Sequence, residues 1–210
     1  MTLKEYMDSH EVAVRQLFDS LAYYHELIKH SIPPGFNSDM MPLHVDATSE
    51  DIEKAFRRYY DEHPEFRKKQ EEANKGFTVY EANALAHATI CGSILQVAHM
   101  AISIFSKYNG ECQVLTGDHR RFGIGRKVNG LPLGLIIYAG RNQYNHWDEE
   151  PRKATQEIFG LIATHNLKGG KDPAFNLEIN NLNIYSHNIL GLIGWKIYED
   201  YTKDMIDMLC

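Results

Sequence analysis

The chain has few cysteines, and those it has do not organise it. Cys91, Cys112 and Cys210 are odd in number and share no Cys-x-x-Cys spacing. A disulfide framework and a zinc knuckle are both excluded as the organising device, and a reducing compartment is expected. Basic residues are also in deficit, with 22 Lys and Arg against 28 Asp and Glu and a formal charge of −6. That balance excludes a protein that coats nucleic acid through a generally basic surface. It leaves room for a local patch, densest from His119-Arg120-Arg121 to Arg126-Lys127.

Other absences narrow the field further. The start, Met1-Thr2-Leu3-Lys4-Glu5-Tyr6, turns polar at once, so no secretory leader is expected there. The longest apolar stretch, Ala82 to Phe105, is interrupted by Asn83, His87, Gln96 and His99. It reads as a buried central helix rather than a membrane span, and a soluble, cytoplasmic chain with no membrane partner is expected. Gly123-Ile124-Gly125 lacks the remaining glycine and the preceding strand of a nucleotide-binding loop. No Glu-x-x-His pair of the di-iron bundle kind occurs anywhere. No metal and no cofactor are therefore expected. Repeats, low-complexity tracts and interdomain linkers are missing too, which points to one domain over residues 1–210.

What the chain does have is helical periodicity. Hydrophobic residues make up 43% and charged residues 24%, enough for a sizeable core. Val14, Leu17, Phe18, Leu21, Tyr24, Leu27 and Ile28 recur at three- and four-residue spacing, predicting a helix from Leu3 to about His30 that stops at Ile32-Pro33-Pro34-Gly35. A loop over Phe36 to Val45 should follow. A second helix should start at Thr48-Ser49-Glu50-Asp51, bend near Pro64 and reach about Asn74. Thr78 should cap a third, from Val79 to about Tyr108, ended by Asn109-Gly110. An irregular loop or hairpin is expected around residues 110–130. The apolar run Leu131 to Tyr138 then leads into a polar cluster. A short helix should open with Pro151 at its first position and end before Lys168-Gly169-Gly170. The Asn-rich stretch Asn176 to Asn183 reads as a connector, and a closing helix should run from about Tyr185 to Leu209. The fold class is all-α, a helical bundle.

The cluster Arg141-Asn142-Gln143-Tyr144-Asn145-His146 is the main functional candidate. On a regular helix Asn142 and His146 share a face, so the amide can hold the imidazole in one orientation. Arg141 and His146 lie about 140° apart around such a helix. Arginine with histidine suits phosphodiester cleavage: histidine moves a proton near neutral pH, and the guanidinium fork holds and neutralises a phosphate. RNA supplies its own nucleophile, the 2′-hydroxyl, so this chemistry recruits no metal.

Arg141-Asn142-x-x-x-His146 resembles the Rx4–6H motif of HEPN-domain ribonucleases, in which a polar residue, often Asn, follows the arginine. The resemblance is confined to this motif, its helical setting and the helical character of the chain. It implies a compact HEPN-like helical bundle that forms a homodimer, with the motifs of two protomers meeting at a cleft. It also implies metal-independent cleavage of an RNA substrate by a toxin or phage-defence effector, with an antitoxin or other regulatory protein as a further partner. Arg141 would bind the scissile phosphate, His146 would act as general acid/base, and Asn142 would position His146. Arg58 to His63 has the same spacing but lacks the small polar residue after the arginine and sits in a highly charged segment.

Around this core of three residues, Tyr144 can stack an RNA base, and Arg120, Arg121 and Arg126 can guide the backbone towards the cluster; packing and plain solvation are the competing roles. His87 and His99 on the central helix read as core histidines with hydrogen-bond partners. Asp148-Glu149-Glu150 reads as an acidic lead into the next helix. Two alternatives to the nuclease remain. One is a non-catalytic HEPN-like helical module that binds a protein or nucleic-acid partner. The other is a small-molecule protein with a pocket lined by His87, His99 and the Asn-rich segment.

Overall fold

A computed structural model describes residues 1–31, 54, 57–58, 61–108, 110, 117–165, 170–177 and 184–210. The expected loop over Phe36 to Val45, the Thr48 helix start, the end of the Asn-rich connector and the Lys168-Gly169 stop lie outside them. The chain divides into two compact units, one of residues 1–25 and 85–210 and the other of residues 26–84. Among the described residues the fold is mostly helical, with one two-stranded sheet. In order, the elements are α1 (Leu3–Ser31), α2 (Pro64–Phe105), a 3-10 turn (Gly117–Phe122), β1 (Lys127–Val128), β2 (Leu131–Pro132), α3 (Leu133–Asn145), α4 (Lys153–Thr164), α5 (Ser186–Ile193) and α6 (Tyr198–Leu209).

Several boundaries differ from expectation for identifiable reasons. The two helices expected on either side of residues 75–78 are one. Thr78 does not cap; its hydroxyl donates to the Asn74 carbonyl at 3.1 Å, a bond made inside a continuing helix. Pro64 stands at the first position of α2, where its missing N–H costs nothing. The helix ends at Phe105, short of Asn109-Gly110, because Ser106 turns its hydroxyl onto the Arg121 carbonyl at 2.7 Å. The 110–130 region contains a tight hairpin. Asn129 and Gly130, with φ of 49° and 78°, form the turn between β1 and β2, a conformation that suits the right-handed twist of a two-residue loop. Pro151 lies one residue before the N-cap of α4, Arg152, rather than at its first position. The closing helix is two: Gly194, at φ 80°, terminates α5 in the left-handed conformation. Asp200 then accepts from the Lys196 and Ile197 N–H groups at 3.0 and 3.2 Å and starts α6.

The larger unit is built around α3, whose residues are buried without a break from Leu133 to Gly140. It packs on the buried side chains of α2 (Ile94, Leu95, Ala98, Ile102), α4 (Ile158, Phe159, Ile162) and α5 (Ile189, Leu190, Ile193). Each of the Leu, Ile and Phe side chains among these contributes about 1.5–3 kcal/mol through burial. Glycine is required where helices cross closely. A Cβ at position 140 would stand 2.9 Å from Ile189 Cγ2 and 3.1 Å from Leu95 Cδ1. A Cβ at position 92 would enter the ring of Tyr144. One stretch of α2, within Arg67–Phe105, is long and apolar enough to cross a membrane, and 44% of its most apolar window is buried inside the protein.

A buried carboxylate ties the hairpin to the C-terminal helices. Asp204 on α6 accepts from Arg126 Nε and Nη2, both at 2.9 Å, and from Trp195 Nε1 at 2.7 Å. Arg126 also donates to the Ile193 carbonyl at 2.5 Å. Burial pushes the Asp204 carboxyl up, yet the Arg126 and Trp195 hydrogen bonds together outweigh it and hold the group below its ordinary value. A depressed carboxyl contributes stability that is complete above the unfolded value, here 3.8, and is lost as pH falls through the lower folded value. Asp204→Asn should therefore cost about 2 kcal/mol at neutral pH, and the loss should shrink on acidification below 3.8. Urea melts across that range check this; parallel pH profiles for the two proteins would contradict it.

Candidate anion and nuclease site

The C-terminal turn of α3 is where its apolar sequence gives way to amides. Leu133 to Gly140 faces the core, so the next turn emerges at the rim of the unit and carries Arg141 into a half-buried position. A guanidinium drawn out of water must keep its hydrogen bonds. Arg141 Nε donates to Gln96 Oε1 at 2.7 Å and Nη1 donates to Asn142 Oδ1 at 3.0 Å. The Asn145 carboxamide, with its oxygen turned to the guanidinium, accepts from Nε at 3.2 Å and Nη2 at 3.1 Å. All three partners are neutral amides. Burial and the neighbouring charge of Arg152 both push the Arg141 guanidinium below its ordinary value, although an arginine keeps its proton at neutral pH.

Arg141 opens onto a cavity of about 290 Å³. Asn142, Tyr138 and Arg141 come from α3, His99 and Ser103 from α2, His119, Arg121 and Phe122 from the 3-10 turn, and Arg152 from the head of α4. Three guanidiniums share this cavity, and among the described residues no Asp or Glu lines it. The 3-10 turn is held in place by α2: Arg121 Nη1 donates to the Ser103 carbonyl at 2.6 Å, and Ser106 Oγ donates to the Arg121 carbonyl. Gly134 lets α3 pass directly beneath the Phe122 carbonyl. His99 stacks on Phe122 with ring centroids 4.6 Å apart. Burial, followed by the charges of Arg141 and His119, drives its imidazole down to about 4. His99 is therefore neutral at pH 7, and the cationic character of the cavity comes from its arginines.

The residues singled out in the sequence are distributed over more than this cavity. Asn142 is buried, and its side chain serves Arg141 rather than His146. His146 has left the regular helix as the C-cap of α3, its N–H on the Asn142 carbonyl. Its Nδ1 is shielded, makes no aligned hydrogen bond and lies 3.1 Å from Glu149 Oε2. His146 does not line the Arg141 cavity. Tyr144 packs its ring over Gly92 of α2. Arg120 is exposed, Arg121 lines the cavity, and Arg126 is committed to Asp204. Arg58 and His63 stand at acids, Arg58 at 3.3 Å from Glu62 and His63 at 3.1 Å from Glu65, and Arg58 is 80% exposed. Sequence reasoning missed His99, His119 and Arg152 as neighbours of Arg141. Helical spacing of Gln96, His99 and Ser103, one face of α2, is the signal that would have found the first of these.

Elsewhere in the larger unit, the rings of His25, His87 and His187 form a chain, with centroids 6.0 and 6.3 Å apart. Among the described residues no three His, Cys, Asp or Glu side chains converge closely enough to hold a metal ion. His87 and His99 do not share a cavity among those resolved around the described residues. The chain matches no protein-family model, no curated protein and no solved structure.

Two half-buried histidines make the unit sensitive to acid. Burial, with the charges of His187 and His25, also lowers His87 to about 4. Because the unfolded chain takes up protons near 6.5 and the folded one near 4, stability should rise with pH across that window. NMR titration should show the His99 ring unprotonated until pH approaches 4. A His99 midpoint near 6.5 would contradict the burial argument.

Proposed function

We propose that the protein is a metal-independent endoribonuclease of HEPN type that acts as a homodimer, with a toxin or defence role. The observation that carries this reading is Arg141, a half-buried guanidinium held by Gln96, Asn142 and Asn145 at an open cavity where, among the described residues, no carboxylate neutralises it. Arg126, which serves the fold, is by contrast paired with an acid, Asp204. Amides fix the direction of a guanidinium while leaving its charge available, which suits recognition of a phosphate.

In the proposed reaction Arg141 holds the scissile phosphate and neutralises charge that develops on its oxygens. The RNA 2′-hydroxyl attacks phosphorus, its proton passing to a base, while the 5′-oxygen leaves and takes a proton from an acid. The products are a 2′,3′-cyclic phosphate and a 5′-hydroxyl. His146 is the proposed acid/base. It lies outside the Arg141 cavity of its own protomer, so the cleft needs a second copy in which the two motifs face one another across a twofold axis. The position of His146 equally favours the second reading, a helical module that binds RNA or a partner protein without cutting.

Cleavage of single-stranded RNA should survive EDTA and give cyclic phosphate ends. Arg141→Ala and His146→Ala should each reduce it by about a hundredfold or more, a typical contribution of one acid/base or one charge-stabilising group. His63→Ala should leave it unchanged. Binding of RNA that persists in wild type with no cleavage would establish the second reading; restoration of activity only by Mg²⁺ or Mn²⁺ would replace the mechanism with metal-assisted hydrolysis. Light scattering at tens of micromolar should give twice the 24.1 kDa protomer mass, and a strict monomer would defeat the shared cleft.

A further inference from the structure

The cavity beside Arg141 contains more charge than one phosphodiester requires. Arg121, Arg141 and Arg152 line it together, and among the described residues the lining includes no acid. Neither Arg141 nor Arg152 has an ion pair among the described residues. Their mutual repulsion is already felt, since the charge of Arg152 depresses Arg141. An RNA diester carries one negative charge. It would leave one of the two guanidiniums, Arg141 and Arg152, uncompensated. A group with two charges would offset more of it, as would the phosphorus centre of a transesterification, which gains negative charge on the way to its transition state.

We propose that the Arg121–Arg141–Arg152 cavity is a seat for a doubly charged phosphate group, matched to a phosphate monoester in preference to a diester. Binding of the monoester stands by itself. Its use in catalysis, where the same seat takes the charge of the reacting phosphorus, rests on the ribonuclease reading. The parts have separate roles. Arg141 is fixed by amides from two helices and sets the position of the phosphate. Arg121 is held by the Ser103 carbonyl through Nη1 and lines the cavity. Arg152 is exposed at the head of α4, free to close over the ligand from the solvent side. Neutral His99 and the buried ring of Phe122 form the floor, where low polarity strengthens each charge-assisted contact. At about 290 Å³ the space is near the lower end of small-molecule pockets, large enough for a phosphate and part of a nucleoside.

The test compares four probes by calorimetry on the full chain at about pH 8, where a monoester is fully dianionic. Adenosine 5′-monophosphate should bind at least tenfold more tightly than adenosine 3′,5′-cyclic monophosphate, its singly charged diester counterpart. Inorganic phosphate should compete with the monophosphate, and adenosine should not bind. A monophosphate advantage over inorganic phosphate assigns the seat to a nucleotide-borne group; equal affinities assign it to phosphate itself. Both outcomes support a dianion seat. Arg152→Gln should weaken monophosphate binding by about tenfold, the loss of one charge-assisted contact, while Arg58→Gln should leave it unchanged. Arg141→Gln should abolish binding; if that variant does not fold, the exposed Arg152 decides. Equal affinity for the cyclic and open monophosphates, no binding at tens of millimolar phosphate, or an unaffected Arg152→Gln protein would each overturn the proposal. RNA cleavage without monoester binding would sink this inference and leave the nuclease standing. Monoester binding without RNA cleavage would do the reverse.

Discussion

A guanidinium that is to hold one position has to be hydrogen-bonded, and the partner chosen decides what it can do. Arg126 and Arg141 divide the possibilities between them. Arg126 meets Asp204 in a two-point pair, and that pair, with Trp195 on the same carboxylate, joins the β1–β2 hairpin to α5 and α6. Its charge is cancelled and its role ends with the fold. Arg141 is met by Gln96, Asn142 and Asn145. Its geometry is fixed to the same degree while its charge is left standing. The position of α3 makes this arrangement necessary: a helix buried from Leu133 to Gly140 delivers whatever follows to a rim that is neither core nor open solvent. Amides at Asn142, Gln143 and Asn145 suit that boundary, since each satisfies backbone or side-chain partners without a desolvated charge. Gln143 illustrates it by accepting the Tyr185 N–H at 2.9 Å from the connector before α5.

Much of the fold could be read from the sequence because the burial pattern is regular. The three- and four-residue spacing of Val14, Phe18 and Leu21 corresponds to the buried face of α1, and the unbroken run ahead of Arg141 is the most enclosed helix of the unit. Failures came where local chemistry had two readings. Thr78 looks like a cap when the chain is read alone, but a threonine also bonds back to the carbonyl four residues earlier, and inside a long helix that alternative prevails. Gly194 reads as a residue inside the closing helix, although a glycine between two periodic stretches is the least costly place for a left-handed stop. The hairpin turned on Asn129-Gly130, a two-residue signal flanked by strands too short to show alternation.

The candidate site was only half legible. Arg141 and Asn142 stand out as polar residues after an apolar run, and the structure keeps them together. Assigning Asn142 to His146 assumed that the helix continued. It ends at Asn145 with His146 as its cap, outside the Arg141 cavity, while the amide turns to the adjacent arginine. The neighbours that define the cavity come from residues 99 to 152 on four separate elements, and no sequence spacing encodes such a meeting. It depends on Gly134 passing under Phe122 and on Ser103 and Ser106 holding the 3-10 turn against α2.

The chemistry proposed here therefore rests on one assertion, that the uncompensated charge of Arg141 is there for the phosphate of RNA. An uncleavable oligonucleotide carrying 2′-O-methyl groups, bound to the intact protein and resolved crystallographically, tests it most directly. The account predicts a backbone phosphate within hydrogen-bonding distance of the Arg141 guanidinium, with Arg152 closed onto the same group. An oligonucleotide seated elsewhere, with Arg141 still facing an empty cavity, would contradict it.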